Sequence, residues 1–484
     1  MTVEITTGLI LAVMGAGLAV GLSAIGSGIG VGIAGTTGAG VIAVRPENFG
    51  QALVFQAVPQ TQGMYGLLVA VLILLTTGVI GGGGGEVSTA MGLAALGAGL
   101  AVGIAGLSAI GQGIAASAGI ATSSEREGSM GRSLVFSVIP ETQAIYGLLV
   151  AILIMAFTGM LTGEEVATIT TGLAALGCAL AVGIAGLSAI GQGIAAAAGS
   201  AASAEHEGAF GRSLVFSVIP ETQAIYGLLV AILIMAFTGM IAGDPISGPA
   251  YGIAAIGCGF AIGLAGLSAI GQGIAAAAGA AVSAERTESF GRSLVFSVIP
   301  ETQAIYGLLV AILIMAFTGM ITRDIVPTLA AGFAAVAAGI AVGFAALSAI
   351  GQGVAASAGI ATTSEREDMF GKGLVFTVIP ETQAIYGLLV AILIMAFTGI
   401  ITRDVTATAA AGLAAIGAGF AVGLAGLSAI GQGMTAAAGI GAVARRPESM
   451  GQSLIFAVMA ETFAIFGLLV AILIMFGIGL FGGV

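Results

Sequence analysis

Five glutamates occupy one repeated position in strongly apolar sequence: Glu141, Glu221, Glu301, Glu381 and Glu461. Each lies about eight residues into an apolar stretch, roughly 12 Å of helix rise from its polar end. A carboxylate buried at that depth in a membrane costs at least about 2.5 kcal/mol. A cost met five times requires partners and a purpose. Four of the acids sit in Pro-Glu-Thr-Gln-Ala-Ile-Tyr, at 140–146, 220–226, 300–306 and 380–386. A glutamine precedes every acid by 29 residues: Gln112, Gln192, Gln272, Gln352 and Gln432. A helical hairpin brings that glutamine beside the acid at the same depth. One carboxylate, two amide oxygens and a hydroxyl form an oxygen cage suited to a hard cation. The tyrosine hydroxyl is placed to fix the carboxylate rotamer. The proline lacks an N–H and so leaves a carbonyl free. The plainer alternative is a neutral, hydrogen-bonded acid that only fixes helix packing, and the matched glutamines weigh against it.

Departures from the pattern show how the groups are shared. The first repeat has Gln60 in place of the acid and Val31 in place of the upstream glutamine, yet it keeps Thr61, Gln62 and Tyr65. The sixth keeps Gln432, Glu461 and Thr462, but Ala460, Phe463 and Phe466 replace proline, glutamine and tyrosine. The losses fall on complementary halves. A site that straddles two neighbours explains this: one repeat supplies Thr, Gln and Tyr, and the next supplies the upstream Gln and the Glu. Five composite sites are therefore expected. They combine Thr61, Gln62 and Tyr65 with Gln112 and Glu141; Thr142, Gln143 and Tyr146 with Gln192 and Glu221; Thr222, Gln223 and Tyr226 with Gln272 and Glu301; Thr302, Gln303 and Tyr306 with Gln352 and Glu381; and Thr382, Gln383 and Tyr386 with Gln432 and Glu461. Repeat six would then face repeat one of another copy, at a boundary with no acid to serve.

The elements that must hold these groups are legible in the repeats. GLLVAILIMAF begins at Gly147, Gly227, Gly307 and Gly387, with relatives at Gly66 and Gly467. The 484 residues divide into six units, 1–82 without the ion-carrying Glu, then 83–163, 164–243, 244–323, 324–403 and 404–484. Each has a Gly/Ala-rich helix A, as in Gly172–Ala198, and a more aliphatic helix B, as in Ser213–Met240. The chain is 58% hydrophobic and 7% charged, against about 25% charged for soluble domains. In lipid every backbone group must be paired internally, so both halves are helical. The fold class is all-α and membrane-embedded, with twelve transmembrane helices as six tandem hairpins. A small-residue stripe, Ala179, Gly183, Gly186 and Gly193, allows close helix approach and puts the A helices in the inner layer.

Ten of the twelve Lys and Arg residues fall in the loops joining A to B, and only Arg323 and Arg403 in the links between units. By the positive-inside rule the A–B loops are cytoplasmic and both termini extracytoplasmic, in a multi-pass protein of the cell membrane. The N-terminal Met1–Thr7 has no basic region of the kind that opens a cleavable signal. Gly81–Gly85 is expected to be a flexible link. Cys178 and Cys258 match in position and behave as small buried apolar residues, and His206 belongs to a polar loop. A net charge of −11 argues against nucleic-acid binding. No nucleophile–base set, phosphate loop or zinc spacing suggests an enzyme or an organic cofactor.

The paired hairpins, Gly-rich inner helix and Pro-Glu-Thr-Gln-x-x-Tyr motif with its upstream Gln resemble the rotor-ring proteolipid (type c or K) of archaeal A-type and vacuolar-type rotary ATPases. The resemblance covers essentially the whole chain, as six fused copies. It implies part of a rotor ring made with other copies of the chain, in membrane lipid, against a stator that holds two half-channels. It implies a central stalk bound at the A–B loops. In sodium-coupled relatives a backbone carbonyl joins the site; carried over, it is that of Val58, Ile139, Ile219, Ile299 or Ile379. The transported ion is expected to be Na⁺, with H⁺ as the alternative. A multi-hairpin channel or secondary transporter is a remote alternative, because such proteins often pair inverted halves, whereas these repeats run in one sense.

Overall fold

The computed structural model describes residues 5–81 and 86–481. Every regular element among them is helical. Twelve spans are long and apolar enough to cross a membrane: α1 (Thr7–Val44), α2 (Pro46–Thr76), α3 (Thr89–Glu125), α4 (Met130–Phe157), α5 (Ile169–Glu205), α6 (Glu207–Phe237), α7 (Pro249–Glu285), α8 (Thr287–Phe317), α9 (Leu329–Glu365), α10 (Glu367–Phe397), α11 (Ala409–Arg445) and α12 (Pro447–Gly477). The all-helical hairpin architecture agrees with the sequence. Of the Gly81–Gly85 link, 82–85 lie outside the described residues, as does the start of the N-terminal segment at 1–4.

Hydroxyl caps start most odd-numbered helices. Thr6 accepts from the N–H of Leu9, Ser88 from that of Met91, and Thr328 from that of Ala331. Thr168 and Thr171 cap reciprocally at the head of α5. Each cap satisfies an N–H that has no partner inside the helix. The odd helices run further than the apolar runs suggest: α5 continues through Ala201–Glu205, because nothing breaks it before His206 takes an extended conformation. The A–B loops are correspondingly short, and a 3₁₀ turn such as Glu207–Ala209 leads straight into the next helix.

The odd helices pack side by side, α1 on α3, α3 on α5, and so on to α11, and each even helix lies on the odd helix of its own unit. The inner row is held at backbone distance by the Gly-Gln-Gly triplets. A Cβ on Gly191 would overlap the carbonyl of Ala269, and one on Gly193 that of Gly111. The same pair of contacts recurs around Gln272, at Gly271 and Gly273, and around Gln352, at Gly351 and Gly353. The outer row closes each boundary with a phenylalanine. Phe136 lies over Gly199 and Phe216 over Gly279, and Phe136 meets Phe210 edge-on at 5.6 Å. Large apolar side chains such as Val215, Ile225 and Leu229 point outward from α6, as a lipid-facing surface requires.

Most helices of both rows are interrupted. The five inner helices that carry the glutamine have a short break just before it, a 3₁₀ turn at Gly106–Ser108, Ala346–Ser348 and Gly426–Ser428 and a turn at 186–187 and 266–267, whereas α1 runs unbroken. The outer helices break at Val58–Gln60, Ile139–Glu141, Ile219–Glu221, Ile299–Glu301 and Ile379–Glu381. The proline missing its N–H accounts for five of these. In α12, where Ala460 replaces it, the helix is still interrupted between Met459 and Glu461, so the break does not depend on the proline alone.

Gly271→Val places a branched side chain against the Ala349 carbonyl. It should lower the stability of the purified protein by about 1–3 kcal/mol, read as a fall in melting temperature. Gly211→Ala, at a glycine with open space around it, should leave the melting temperature within error; equal effects of the two changes would contradict the packing described.

Candidate functional site

At each of the five internal boundaries the structure brings the same groups together. Between α6 and α7–α8, Thr222 Oγ1 donates to Gln223 Oε1 at 3.1 Å. Gln223 Nε2 donates to Gln272 Oε1 at 2.7 Å, and Gln272 Nε2 to Glu301 Oε2 at 3.1 Å. Tyr226 donates its hydroxyl to the other oxygen, Glu301 Oε1, at 2.7 Å. The carboxyl group is thus gripped from both sides, by its own hairpin through Gln272 and by the preceding one through Tyr226.

The other four boundaries repeat this within small differences. Tyr65, Tyr146, Tyr306 and Tyr386 donate to Glu141, Glu221, Glu381 and Glu461 at 2.6, 2.7, 2.6 and 2.5 Å. Gln112, Gln192, Gln352 and Gln432 donate to the same four acids at 3.3, 3.1, 3.1 and 3.3 Å. Gln62, Gln143, Gln303 and Gln383 reach Gln112, Gln192, Gln352 and Gln432 at 2.5, 2.7, 2.9 and 2.9 Å. Thr61 and Thr142 donate to Gln62 and Gln143, both at 3.1 Å. Thr302 and Thr382 turn instead to the carbonyls of Ile299 and Ile379, both at 2.9 Å.

The burial of the acids differs from the sequence expectation. Depth in an apolar segment suggests buried carboxyl groups, but all five glutamates are half-buried, whereas the glutamines on both sides are fully enclosed. The glutamates lie on outer helices at the seam between neighbours, so one edge of each carboxyl stays open to the periphery. The carbonyls of Val58, Ile139, Ile219, Ile299 and Ile379 line the same seam, each accepting a threonine hydroxyl at 2.9–3.4 Å. In unit one Gln60 faces outward and Val31 is half-buried, and in unit six Phe463 and Phe466 are exposed.

One residue type at this site escapes a reading of the sequence alone. A serine stands four residues before each upstream glutamine: Ser108, Ser188, Ser268, Ser348 and Ser428. The first four are fully buried, and Ser428 donates to Gln383 Oε1 at 2.9 Å. Its fixed offset from the glutamine, repeated unit after unit, is the signal that could have found it.

The sequence model of the ATP synthase C-subunit family matches the chain six times, at 14–73, 88–154, 176–234, 247–314, 329–394 and 405–474. The K subunit of the A-type ATP synthase of Methanocaldococcus jannaschii is 56% identical over 224 residues, which is 46% of this chain and 96% of the relative. The K subunit of the V-type sodium ATPase of Enterococcus hirae is 37% identical over 149 residues, 31% of this chain and 92% of its own length. The 16 kDa proteolipid, type c, of the V-type proton ATPase of Rattus norvegicus is 32% identical over 176 residues, 36% and 94% respectively. These relatives are matched almost whole, and each accounts for less than half of this chain.

Tyr226→Phe removes one of the two donors to Glu301. In a chain where Glu141, Glu221, Glu381 and Glu461 are replaced by Gln, one seam carboxyl remains to be observed by infrared spectroscopy. With Tyr226→Phe added, its C=O stretch in the protonated form should rise in frequency. An unchanged band would show that the phenol does not hold the carboxyl.

Proposed function

The chain belongs to the ATP synthase C-subunit family, and from that premise we propose that it is the Na⁺-carrying rotor proteolipid of an A/V-type ATPase. In this reading the chain is not itself catalytic. It assembles with further copies into a ring, meets the stator at the outer seam and binds a central stalk through its A–B loops. Those loops, with most of the basic residues, face the cytoplasm, and the termini face away from it. The six units take the boundaries 1–82, 83–163, 164–243, 244–323, 324–403 and 404–484.

The observation that carries the reading is the convergence of Thr222 Oγ1, Gln223 Oε1, Gln272 Oε1 and the Glu301 carboxyl at one seam, repeated five times. Those oxygens, with the Ile219 carbonyl, would hold the ion; one carboxylate matches the charge of one monovalent cation. The half-buried carboxyl edge supports exchange with a stator from the periphery. The tyrosine hydroxyl and glutamine amide keep the carboxyl from swinging outward between exchanges. Relatives named for sodium and for proton transport both exist, and the full set of neutral oxygen donors favours sodium here, since a carried proton needs no such cage.

Ring formation is supported by the two ends. Gly431, before Gln432, and Gly32, after Val31, have open space around them, while their counterparts at every internal boundary abut backbone. Phe456 is 64% exposed, whereas Phe55, Phe136, Phe216, Phe296 and Phe376 are fully buried. Unit six thus presents the glycine and phenylalanine that unit one of another copy would receive. That junction lacks the acid, the upstream glutamine and the motif's second glutamine and tyrosine. Each chain would carry five ions on six hairpins, lowering the ions moved per turn, and each charge is worth about 2.3 kcal/mol per 100 mV.

Carbodiimide labelling of the five glutamates in the assembled complex at neutral pH should slow when NaCl is added. Rates indifferent to NaCl but sensitive to pH would give the proton reading instead. A resolved ring should hold ions at the internal boundaries and none where unit six meets unit one; an ion there would refute the count.

A further inference from the structure

Four serine hydroxyls in the inner row have no hydrogen-bond partner among the described residues: Ser108, Ser188, Ser268 and Ser348. All four are fully enclosed. An unpaired buried hydroxyl costs about 1–3 kcal/mol, so a position that repeats it four times calls for an explanation. Elsewhere among the described residues Ser213, Ser289 and Thr363 are also without partners, but none of them repeats through the units, and several buried hydroxyls find the usual outlet, the carbonyl four residues back. Thr158, Ser217 and Thr238 reach it at 2.7, 2.9 and 2.6 Å. The serines follow the inner-helix break, where the i−4 carbonyl is taken by the N–H one residue earlier: Ile184 accepts from Leu187 at 3.0 Å and Leu264 from Leu267 at 3.1 Å, and the serine hydroxyls make no bond to it. The inner-helix break therefore turns the hydroxyl away from its own backbone.

Two boundaries show where it turns. Between units five and six, Ser428 Oγ donates to Gln383 Oε1 at 2.9 Å. Between units four and five, Ser348 Oγ and Gln303 Oε1, the equivalent pair, are both without partners. A donor and an acceptor orphaned at matching positions on facing hairpins are complementary. Unit one supplies a contrast. Its counterpart, Ser27, would face unit six of another copy, where Phe463 stands in place of the glutamine. There the serine instead accepts the backbone N–H of Gly63 at 2.8 Å. That approach is open because residue 63 is glycine, where the other units have Ala144, Ala224, Ala304, Ala384 and Ala464. The hydroxyl thus takes a structural role at the one boundary without an ion site.

We propose that Ser108, Ser188, Ser268, Ser348 and Ser428 are positioning residues of the ion sites, holding the facing glutamine's amide oxygen toward the cation. The inference rests on the ion-carrying reading above. A threonine hydroxyl that lends its oxygen to a cation must direct its hydrogen elsewhere, and the carbonyl of Val58, Ile139, Ile219, Ile299 or Ile379 is within reach. Gln62, Gln143, Gln223, Gln303 and Gln383 then lose the threonine as donor. Each amide oxygen has two lone pairs; with one on the ion, the serine hydroxyl takes the other. It fixes the amide with oxygen, not nitrogen, facing the site, while the amide N–H₂ stays on the upstream glutamine. The serine does not touch the ion.

The test uses the full chain in its assembled complex with Ser268→Ala alone. The concentration of NaCl that half-protects each glutamate from a carbodiimide is read peptide by peptide by mass spectrometry. Glu301 should need roughly three- to tenfold more Na⁺, the worth of one ordinary hydrogen bond, while the other four glutamates serve as controls in the same molecule. Ser27→Ala should shift none of the five. Equal protection of Glu301 and its counterparts overturns the proposal, as does a uniform shift of all five. If NaCl protects no glutamate in the unaltered chain, the sodium reading has failed. The serine is then judged on labelling without Na⁺: Glu301 should react several-fold faster than its counterparts, and an equal rate overturns the proposal.

Discussion

A carboxyl group set into the middle of an apolar helix cannot be served by its own backbone, whose groups are already paired. Its partners have to come from neighbouring side chains, and in a row of hairpins those stand on two different units. The grip on Glu301 has this form, with Gln272 on one oxygen and Tyr226 of the preceding hairpin on the other. The rest of the structure serves that shared grip. Side chains as short as glutamine and threonine span the boundary only if the inner helices nearly touch. The glycines flanking every upstream glutamine provide that approach, one toward each neighbour. In a membrane such contact is also the main source of association, since burial away from lipid gains little. The glycines that bring the helices together thereby let the side chains beside them close the site.

The breaks in both rows follow from the same requirement. In an unbroken α-helix each side chain points where the 3.6-residue period sends it, and few polar groups face one spot. A 3₁₀ turn shifts that phase. In the outer helix it places Thr222 and Gln223 at the seam with Glu301, and Glu221 at the seam on the opposite flank, so one segment serves two sites. In the inner helix it directs Ser268 and Gln272 toward the same seam. The helix gives up ideal hydrogen-bond geometry over a few residues, and the side-chain bonds across the boundary offset the loss.

Much of this is legible in the sequence. The repeats, the hairpins, the inner place of the Gly-rich helices and the division of each site between neighbours follow from spacing and from the complementary losses in units one and six. Side-chain pairing across a boundary is readable there because deletion of one half removes the need for the other. Three features are not readable. The half-exposure of the glutamates depends on how far the outer helices lie apart, which no single repeat encodes. The odd helices run past the stretch typified by Gly172–Ala198, because alanine-rich Ala201–Glu205 adds little apolar weight while remaining a good helix former. The serine at 108, 188, 268, 348 and 428 passes for a small packing residue among glycines and alanines; its fixed offset from the glutamine is its one mark in the sequence, and its lack of a backbone partner appears only in the structure.

Fusion of six hairpins in one chain changes what can be done with a site. In a ring of identical single hairpins every substitution appears at every position, so replacing the acid would abolish all carriers together. In the proposed ring, Gln60 and Val31 would remove the acid half of one site and Phe463 and Phe466 would fill the facing half, with five sites left intact. The exchange suits the medium: Gln60 carries no charge to neutralise, and the two phenylalanines replace polar groups that would otherwise lie unpaired against it. The packing determinants of that boundary are retained, with Gly32 and Gly431 free to meet and Phe456 free to insert. In the proposed ring, ion binding and ring closure would rest on separable residues at each boundary, and covalent linkage would let one boundary keep the second without the first.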